Sequence, residues 1–66
     1  MNSEKLGQII KHKRKSLKLT QAEVAMSCGV GLRFLSDLEN GKPTCQMGKV
    51  LLVIESLGLM IVIDEK

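Results

Sequence analysis

One stretch of the sequence, LTQAEVAMSCGVGLRFLSDLENGK (residues 19–42), restricts the fold of this 66-residue chain more than any other. Thr20 and Glu23 have the spacing of a capping box, in which each side chain binds the other residue's backbone amide, so a helix is predicted to begin here. Gly29 is predicted to end that helix in the left-handed conformation, which glycine adopts without steric cost. A second helix then begins near Gly31. The stretch therefore predicts two short helices joined by a tight turn.

Small and apolar residues are spaced so that these two helices pack closely. Ala25 is small enough to let them touch, and Leu35 and Leu38 hold the second helix against the first. Asn40-Gly41 ends the second helix. This is the helix-turn-helix pattern, in which the second helix can enter a major groove while the first lies across the phosphate backbone.

The segments on either side predict two further helices. Residues 2–17 carry apolar residues at helical spacing with lysines on the other side, and Ser3 is the expected N-cap. After the motif, Thr44 is expected to cap a helix that Gly58 closes. The residues expected to face inward are Leu6, Ile9, Ile10 and Leu17 in the first helix, Val24, Ala25 and Cys28 in the second, and Met47, Val50, Leu51, Ile54 and Leu57 in the last.

The last apolar segment, LMIVI (residues 59–63), is short, partly β-branched and apolar on both faces, which favours a buried strand over a further helical turn. A lone strand leaves its backbone groups unpaired, so the expected partner is the same segment of a second copy, antiparallel across a two-fold axis. A fifth helix or a frayed tail is the alternative. The sequence thus predicts a DNA-binding domain at residues 1–58 and a dimerisation strand and tail at residues 59–66. The expected dimer interface is Leu59, Met60, Ile61, Val62 and Ile63.

Charge is unevenly distributed along the chain. Residues 1–42 carry eight Lys/Arg and four Asp/Glu, whereas residues 43–66 carry two and three. The N-terminal two-thirds therefore favours a polyanionic partner, although a merely solvated basic face has the same composition.

Several classes of protein are not expected. No apolar stretch reaches the roughly 18 residues of a membrane-spanning helix, and residues 1–15 lack the apolar core of a signal peptide, so we expect a cytoplasmic protein without a membrane partner. Cys28 and Cys45 are isolated, which argues against a metal site. His12 has no catalytic partner, so neither an enzyme nor a cofactor is expected.

The segments LTQAEVA, CGV and FLSDLENGKPT resemble the Cro/phage-repressor type of helix-turn-helix, also called the Xre family, over about residues 5–58. Within that family, GLRFLSDLENGKPT and MGKVLLVIESLGL, followed by the terminal apolar segment, most resemble HipB-type antitoxins. The resemblance implies an all-α, lambda-repressor-like bundle of four to five helices with a short C-terminal β-strand pairing across a homodimer. It also implies a repressor that binds double-stranded operator DNA, autoregulates its operon and holds a HipA-like kinase toxin.

Two other functions remain open at this point. A stand-alone Xre-family or phage regulator without a toxin partner would have nearly the same sequence features. A protein-interaction module that uses the scaffold without binding DNA is supported by the apolar character of Gly31, Leu32 and Phe34, and opposed by the basic first helix.

Arg33 is the main candidate for reading bases. It lies in the first turn of the second motif helix, and arginine can bind guanine O6 and N7 with two hydrogen bonds. The alternative is an ion pair with Asp37, four residues on. Leu32 could touch a thymine methyl group, and Gly31 could let a phosphate come close. The expected base contacts are Arg33, Leu32, Ser36 and Gly31.

Residues around the two helix ends are candidates for binding phosphates. Gln21 begins the first motif helix, where free amides can also bind an anion, and Asn40 and Lys42 follow the second. Phe34 is expected to pack against the last helix or the terminal strand rather than DNA. By resemblance to phage repressors, Arg14 and Glu39 are expected to form a structural ion pair beneath the second motif helix.

Overall fold

The computed structural model describes residues 1–43 and 46–65, and four helices lie in this part of the chain. They are α1 (Ser3–Ser16), α2 (Gln21–Cys28), α3 (Leu32–Glu39) and α4 (Met47–Ser56). Helix α1 packs against α3, and α2 packs against both α3 and α4. The prediction of an all-α fold with the helix-turn-helix motif in α2 and α3 is confirmed. No helix in the described residues is both long enough and apolar enough to cross a membrane.

The predicted turn signals lie where the helices end. The Thr20 hydroxyl accepts the amide of Glu23 at 3.1 Å, and the Glu23 carboxylate accepts the amide of Thr20 at 2.9 Å, which completes the capping box. Gly29 follows α2 and Gly58 follows α4, each at φ +73°, where a side chain would be strained. Of these residues, Gly29 lies in the turn that connects α2 to α3.

The predicted cap of α1 is displaced by one residue. The Asn2 side chain, rather than Ser3, accepts the amide of Lys5 at 2.8 Å, because Asn2 has the extended backbone of an N-cap whereas Ser3 is already helical. Thr44, the expected cap of α4, lies outside the described residues.

The core is aliphatic, and every helix contributes to it. Ile10, Leu35 and Val53 are fully buried, and Phe34 is half-buried against this cluster, with the Lys49 Nζ of α4 5.6 Å from its ring centroid. The core consists of Ile10, Val24, Ala25, Val30, Leu35, Leu38, Val50, Val53, Ile54 and Leu57.

Four residues predicted to face inward are exposed in the single chain: Ile9, Leu17, Met47 and Leu51. A helix buries only one stripe against its neighbours, and the apolar residues of α1 and α4 cover more than one stripe. In α1, Ile10 occupies the inward stripe and Ile9 does not. In α4, Val53 lies inside and Leu51 outside.

The predicted strand does not form in the single chain. Residues 59–65 have no regular secondary structure. Leu59 is half-buried against the core, and its amide donates to the Ile54 carbonyl at 3.0 Å. From Met60 to Ile63 every side chain is exposed. An isolated extended segment has no neighbour for its backbone groups, so local preference alone does not produce a strand.

Gly7 sets how closely α1 approaches the end of α3. A Cβ atom at this position would lie 2.7 Å from the Glu39 carbonyl oxygen and closer still to the Leu38 carbonyl oxygen. Only glycine leaves room for these two backbone atoms. The contact fixes the C-terminal end of α3 on the body of the protein.

Candidate nucleic-acid interface

Helix α3 has one buried side and one open side. Leu35, Leu38 and Glu39 are buried, whereas Leu32 and Arg33 in the first turn are exposed. Ser36 and Asp37 lie between the two sides and are half-buried. The first two residues of α3 are therefore open to solvent, and the N-terminal part of a recognition helix is the part that contacts base edges.

Arg33 is available for an external partner. It makes no hydrogen bond or ion pair within residues 1–43 and 46–65. The alternative ion pair with Asp37 is not formed, because the Asp37 carboxylate lies 3.6 Å from the Lys42 Nζ instead. An exposed guanidinium at the first turn of α3 can rotate toward a ligand without breaking an internal contact.

The other expected base-contacting residues surround Arg33. Leu32 is 52% exposed, and Ser36 is one turn further along the same helix. Gly31 precedes α3 at φ −68°, a conformation open to any residue, and a Cβ there would meet no atom within 4 Å. The fold itself does not require glycine at this position.

A buried network holds the other end of α3. Arg14 Nε donates to Glu39 Oε2 at 2.7 Å, and Arg14 Nη2 donates to Glu39 Oε1 at 3.0 Å, so the pair is bidentate. Arg14 Nη1 also donates to the Leu19 carbonyl at 2.7 Å, just before α2. Arg14 and Glu39 are 8% and 5% exposed. The network ties α1, the α1–α2 turn and α3 together.

Gln21 belongs to the same network, which the sequence did not indicate. Its Nε2 donates to Glu39 Oε1 at 3.0 Å, so the first residue of α2 is fixed to the last residue of α3. A contact between residues 18 apart carries no local pattern. The signal that could have indicated it is a polar residue at the start of a capped helix. The expected Arg14–Glu39 pair offers that residue a partner, because the Glu39 carboxylate can accept further hydrogen bonds.

The network also brings the expected phosphate-binding residues to one region. Gln21 contacts Glu39, which directly precedes Asn40, and Lys42 follows two residues later. Asn40 and Lys42 line an open groove together with Lys11 of α1. Lys11 therefore lies in the same groove as both of these residues.

The sequence pattern of the helix-turn-helix family matches residues 10–59. This match spans α2, α3 and α4 and begins within α1. The chain belongs to the helix-turn-helix family.

Two known proteins are similar in sequence to this chain over a stretch longer than α2 and α3. This helix-turn-helix chain is 52% identical over 56 residues to an uncharacterized HTH-type transcriptional regulator, y4mF, of Sinorhizobium fredii, a match that covers 85% of the chain and 74% of that protein. It is 45% identical over 42 residues to the ImmF control region 10 kDa protein of Bacillus phage phi105, covering 64% of the chain and 47% of that protein.

The helix-turn-helix core contains two ionisable groups whose protonation follows from the network. Burial alone would raise the pKa of Glu39, but the hydrogen bonds from Arg14 and Gln21, with the charges of Arg14 and Lys11, outweigh it and hold that pKa below its usual range. The hydrogen bond to Glu39 raises the pKa of Arg14. Both groups are therefore charged at neutral pH. Among the described residues, no cluster of three or more His, Cys, Asp or Glu side chains could hold a metal ion.

The lowered pKa of Glu39 predicts how stability depends on pH. A glutamate in the unfolded chain has a pKa of about 4.3. As the pH falls, the unfolded state therefore binds a proton at this position before the folded state does. The stabilisation from this carboxylate is expected to be complete above about pH 5 and to be lost as the pH falls through the folded pKa. A ¹³C NMR titration of the side-chain carboxyl group should give a midpoint below about 4.3. A midpoint at or above that value would contradict the network.

Proposed function

We propose that this helix-turn-helix chain is a sequence-specific DNA-binding transcriptional repressor that acts as a homodimer in the cytoplasm. The main supporting observation is the contrast between the two ends of α3. Arg33 at the N-terminal end is exposed and has no partner in the described residues, while Glu39 at the other end is fixed by Arg14 and Gln21. A rigidly held helix with a free guanidinium suits bidentate recognition of guanine in the major groove.

The remaining contacts follow from where the residues lie. Leu32 and Ser36 lie on α3 beside Arg33 and would contact neighbouring base edges, with Leu32 against a thymine methyl group. Gly31 has no internal reason to be glycine, which fits the close approach of the DNA backbone. Asn40 and Lys42, which line one open groove, would bind phosphates on the flanking strand. Gln21 would do so through the second hydrogen of its amide, since the first is donated to Glu39.

Arg33→Ala tests this assignment. We expect the ratio of operator affinity to affinity for unrelated DNA to fall about tenfold or more in the variant, because one bidentate arginine–guanine contact is removed. The operator is the sequence that the wild-type protein selects from a random duplex library, and binding is followed by fluorescence anisotropy.

Lys15→Ala is the matched control for Arg33→Ala. Lys15 is an exposed cation in the last turn of α1, so its removal should weaken binding to both DNA sequences equally and make the salt dependence slightly less steep. If Arg33→Ala keeps the wild-type ratio of operator affinity to affinity for unrelated DNA, Arg33 does not read the operator.

The dimer is proposed to form through residues 59–63, paired as antiparallel strands across a two-fold axis. The side chains of Met60, Val62 and Ile63 are 85%, 75% and 89% exposed, an unusual state for a continuous apolar run. A second copy would supply both the missing hydrogen-bond partners and the apolar cover. Two recognition helices would then face half-sites about 34 Å apart, so the operator would be an inverted repeat.

Two regulatory roles are compatible with such a dimer. The antitoxin of a HipBA-like module is proposed from the resemblance of α3, α4 and the terminal segment to HipB-type proteins, with a HipA-like kinase toxin held away from α3. The relation to a phage control-region protein favours a stand-alone or phage-type regulator. Co-purification from the native host would distinguish them, since only an antitoxin should bring a kinase-like protein with it.

A further inference from the structure

A groove runs along α1 on the side where the C-terminal segment begins. We call it the basic groove, and it is lined by Lys5, Gln8, Ile9, His12, Lys13 and Leu59. Its volume is about 580 Å³. Ile9 and Leu59 form an apolar wall, while Lys5 and Lys13 provide positive charge at the edge. The groove therefore suits a segment that is apolar and also carries acidic groups.

The chain's own C-terminal segment lies on the other side of that apolar wall. Met60, Ile61 and Val62 line a second, smaller cleft of about 160 Å³ together with Met1, Leu6 and Ile54. Ile9 and Leu59 belong to both clefts and separate them. Beyond Leu59 the chain thus runs toward the N-terminal end of α1, away from Lys13. Beyond Leu59, no described residue of the C-terminal segment lines the basic groove.

The end of the chain has the composition that the groove requires. Val62 and Ile63 are exposed apolar residues, and the exposed acidic residues Asp64 and Glu65 follow directly. This order, apolar and then acidic, matches the apolar wall and lysine edge of the groove. Another copy of the same chain is therefore a chemically suitable occupant.

Antiparallel pairing of residues 59–63 also delivers that segment to the groove. If the two strands are centred on Ile61, Ile63 of the second copy lies directly opposite Leu59. The two residues after it continue past Leu59 by about 3.3 Å each, in the direction opposite to the first copy's own segment. That direction leads from the shared wall into the basic groove.

We propose that the basic groove of each copy receives Ile63, Asp64 and Glu65 of the other, with Ile63 against Ile9 and Leu59 and the carboxylates that follow it directed toward Lys13. This inference rests on the proposed strand-paired dimer and adds a specific second contact to it. The contact covers Ile9, one of the apolar residues that the single chain leaves exposed. It also fixes the register of the paired strands, because a shift would move the acidic residues away from Lys13.

Photo-cross-linking of the full chain tests where the segment lies. A photoreactive phenylalanine derivative, p-benzoylphenylalanine, replaces Ile63 in unlabelled protein, which is mixed with ¹⁵N-labelled wild-type protein before irradiation. Mass spectrometry should place the cross-links on residues 5–13 of the labelled copy. Cross-links confined to α4, or cross-links formed only within the unlabelled copy that carries the photoreactive residue, would overturn the inference.

Charge reversal provides an independent measurement of the same contact. Lys13→Glu should weaken dimerisation at least about fivefold in sedimentation equilibrium without DNA, since two symmetric contacts are lost, and adding Glu65→Lys should restore most of it. Lys15→Glu makes the same charge change in the same helical turn, outside the groove, and should have little effect. An equal loss in both lysine variants, or no rescue, would overturn the inference.

Failure of the inference can be told apart from failure of the proposed function. A dimer that binds the operator but cross-links elsewhere leaves the repressor and removes only the groove contact. If the wild-type chain is monomeric, both the groove contact and the proposed dimer are refuted. A cross-linked dimer that does not bind DNA retains the contact and removes the repressor.

Discussion

Glu39→Gln is expected to lower the free energy of unfolding by about 3–5 kcal/mol, the usual cost of leaving a buried charge without its partner. The substitution keeps the size of the side chain but leaves the Arg14 guanidinium, which is 8% exposed, with no carboxylate. Domains of this length have total stabilities of only several kcal/mol. The melting temperature, measured by circular dichroism at one protein concentration, should therefore fall by more than about 12 °C.

Two further variants separate the buried pair from a simple loss of charge. Asp37→Asn breaks the exposed pair with Lys42 and should change the free energy of unfolding by less than about 1 kcal/mol. Replacing both Arg14 and Glu39 by methionine removes both charges and should recover part of the stability lost in Glu39→Gln. Equal effects of Glu39→Gln and Asp37→Asn would show that the network does not stabilise the fold.

Gly7→Ala is expected to destabilise the protein by at least about 2 kcal/mol, because the added Cβ collides with two backbone carbonyl oxygens of α3. Backbone atoms cannot rotate away, so α1 and α3 must separate and the end of α3 must move. The substitution should reduce operator affinity as well as stability. Urea denaturation and DNA binding of the same preparation measure the two effects.

Gly48→Ala is the matched control for Gly7→Ala. Gly48 also lies within a helix, but a Cβ there would meet no atom within 4 Å. Alanine should raise the free energy of unfolding there by up to about 1 kcal/mol through its higher helix propensity. If Gly7→Ala were as stable as Gly48→Ala, the close approach of α1 to α3 would be wrong.

The parts of the fold that were predictable are those encoded within a few residues. Thr20 and Glu23 form a capping box whatever surrounds them, and Gly29 ends α2 for reasons of backbone sterics alone. Helix α3 was predictable because Leu35 and Leu38 define one buried stripe. Local chemistry therefore located the motif and its orientation.

Features that depend on distant contacts were not predictable in the same way. Nothing beside Gly7 in the sequence indicates that α3 carbonyls lie against it, and nothing beside Gln21 indicates that its amide binds Glu39. Ile9 and Leu51 have the spacing of core residues but lie outside the stripe that the neighbouring helices cover. The segment 59–63 has the composition of a strand, yet strand formation depends on a partner outside its own sequence.

The central claim, that α3 places Arg33 in the major groove of duplex DNA, is tested most directly by methylating guanine N7 in the selected operator. Guanine N7 is one of the two acceptor atoms, with O6, to which a bidentate arginine donates hydrogen bonds. We expect methylation of one guanine in each half-site, at symmetric positions about 34 Å apart, to block the wild-type protein while leaving the residual binding of Arg33→Ala unaffected. If wild-type binding is unchanged by methylation at every guanine of the operator, Arg33 does not bind guanine in the major groove.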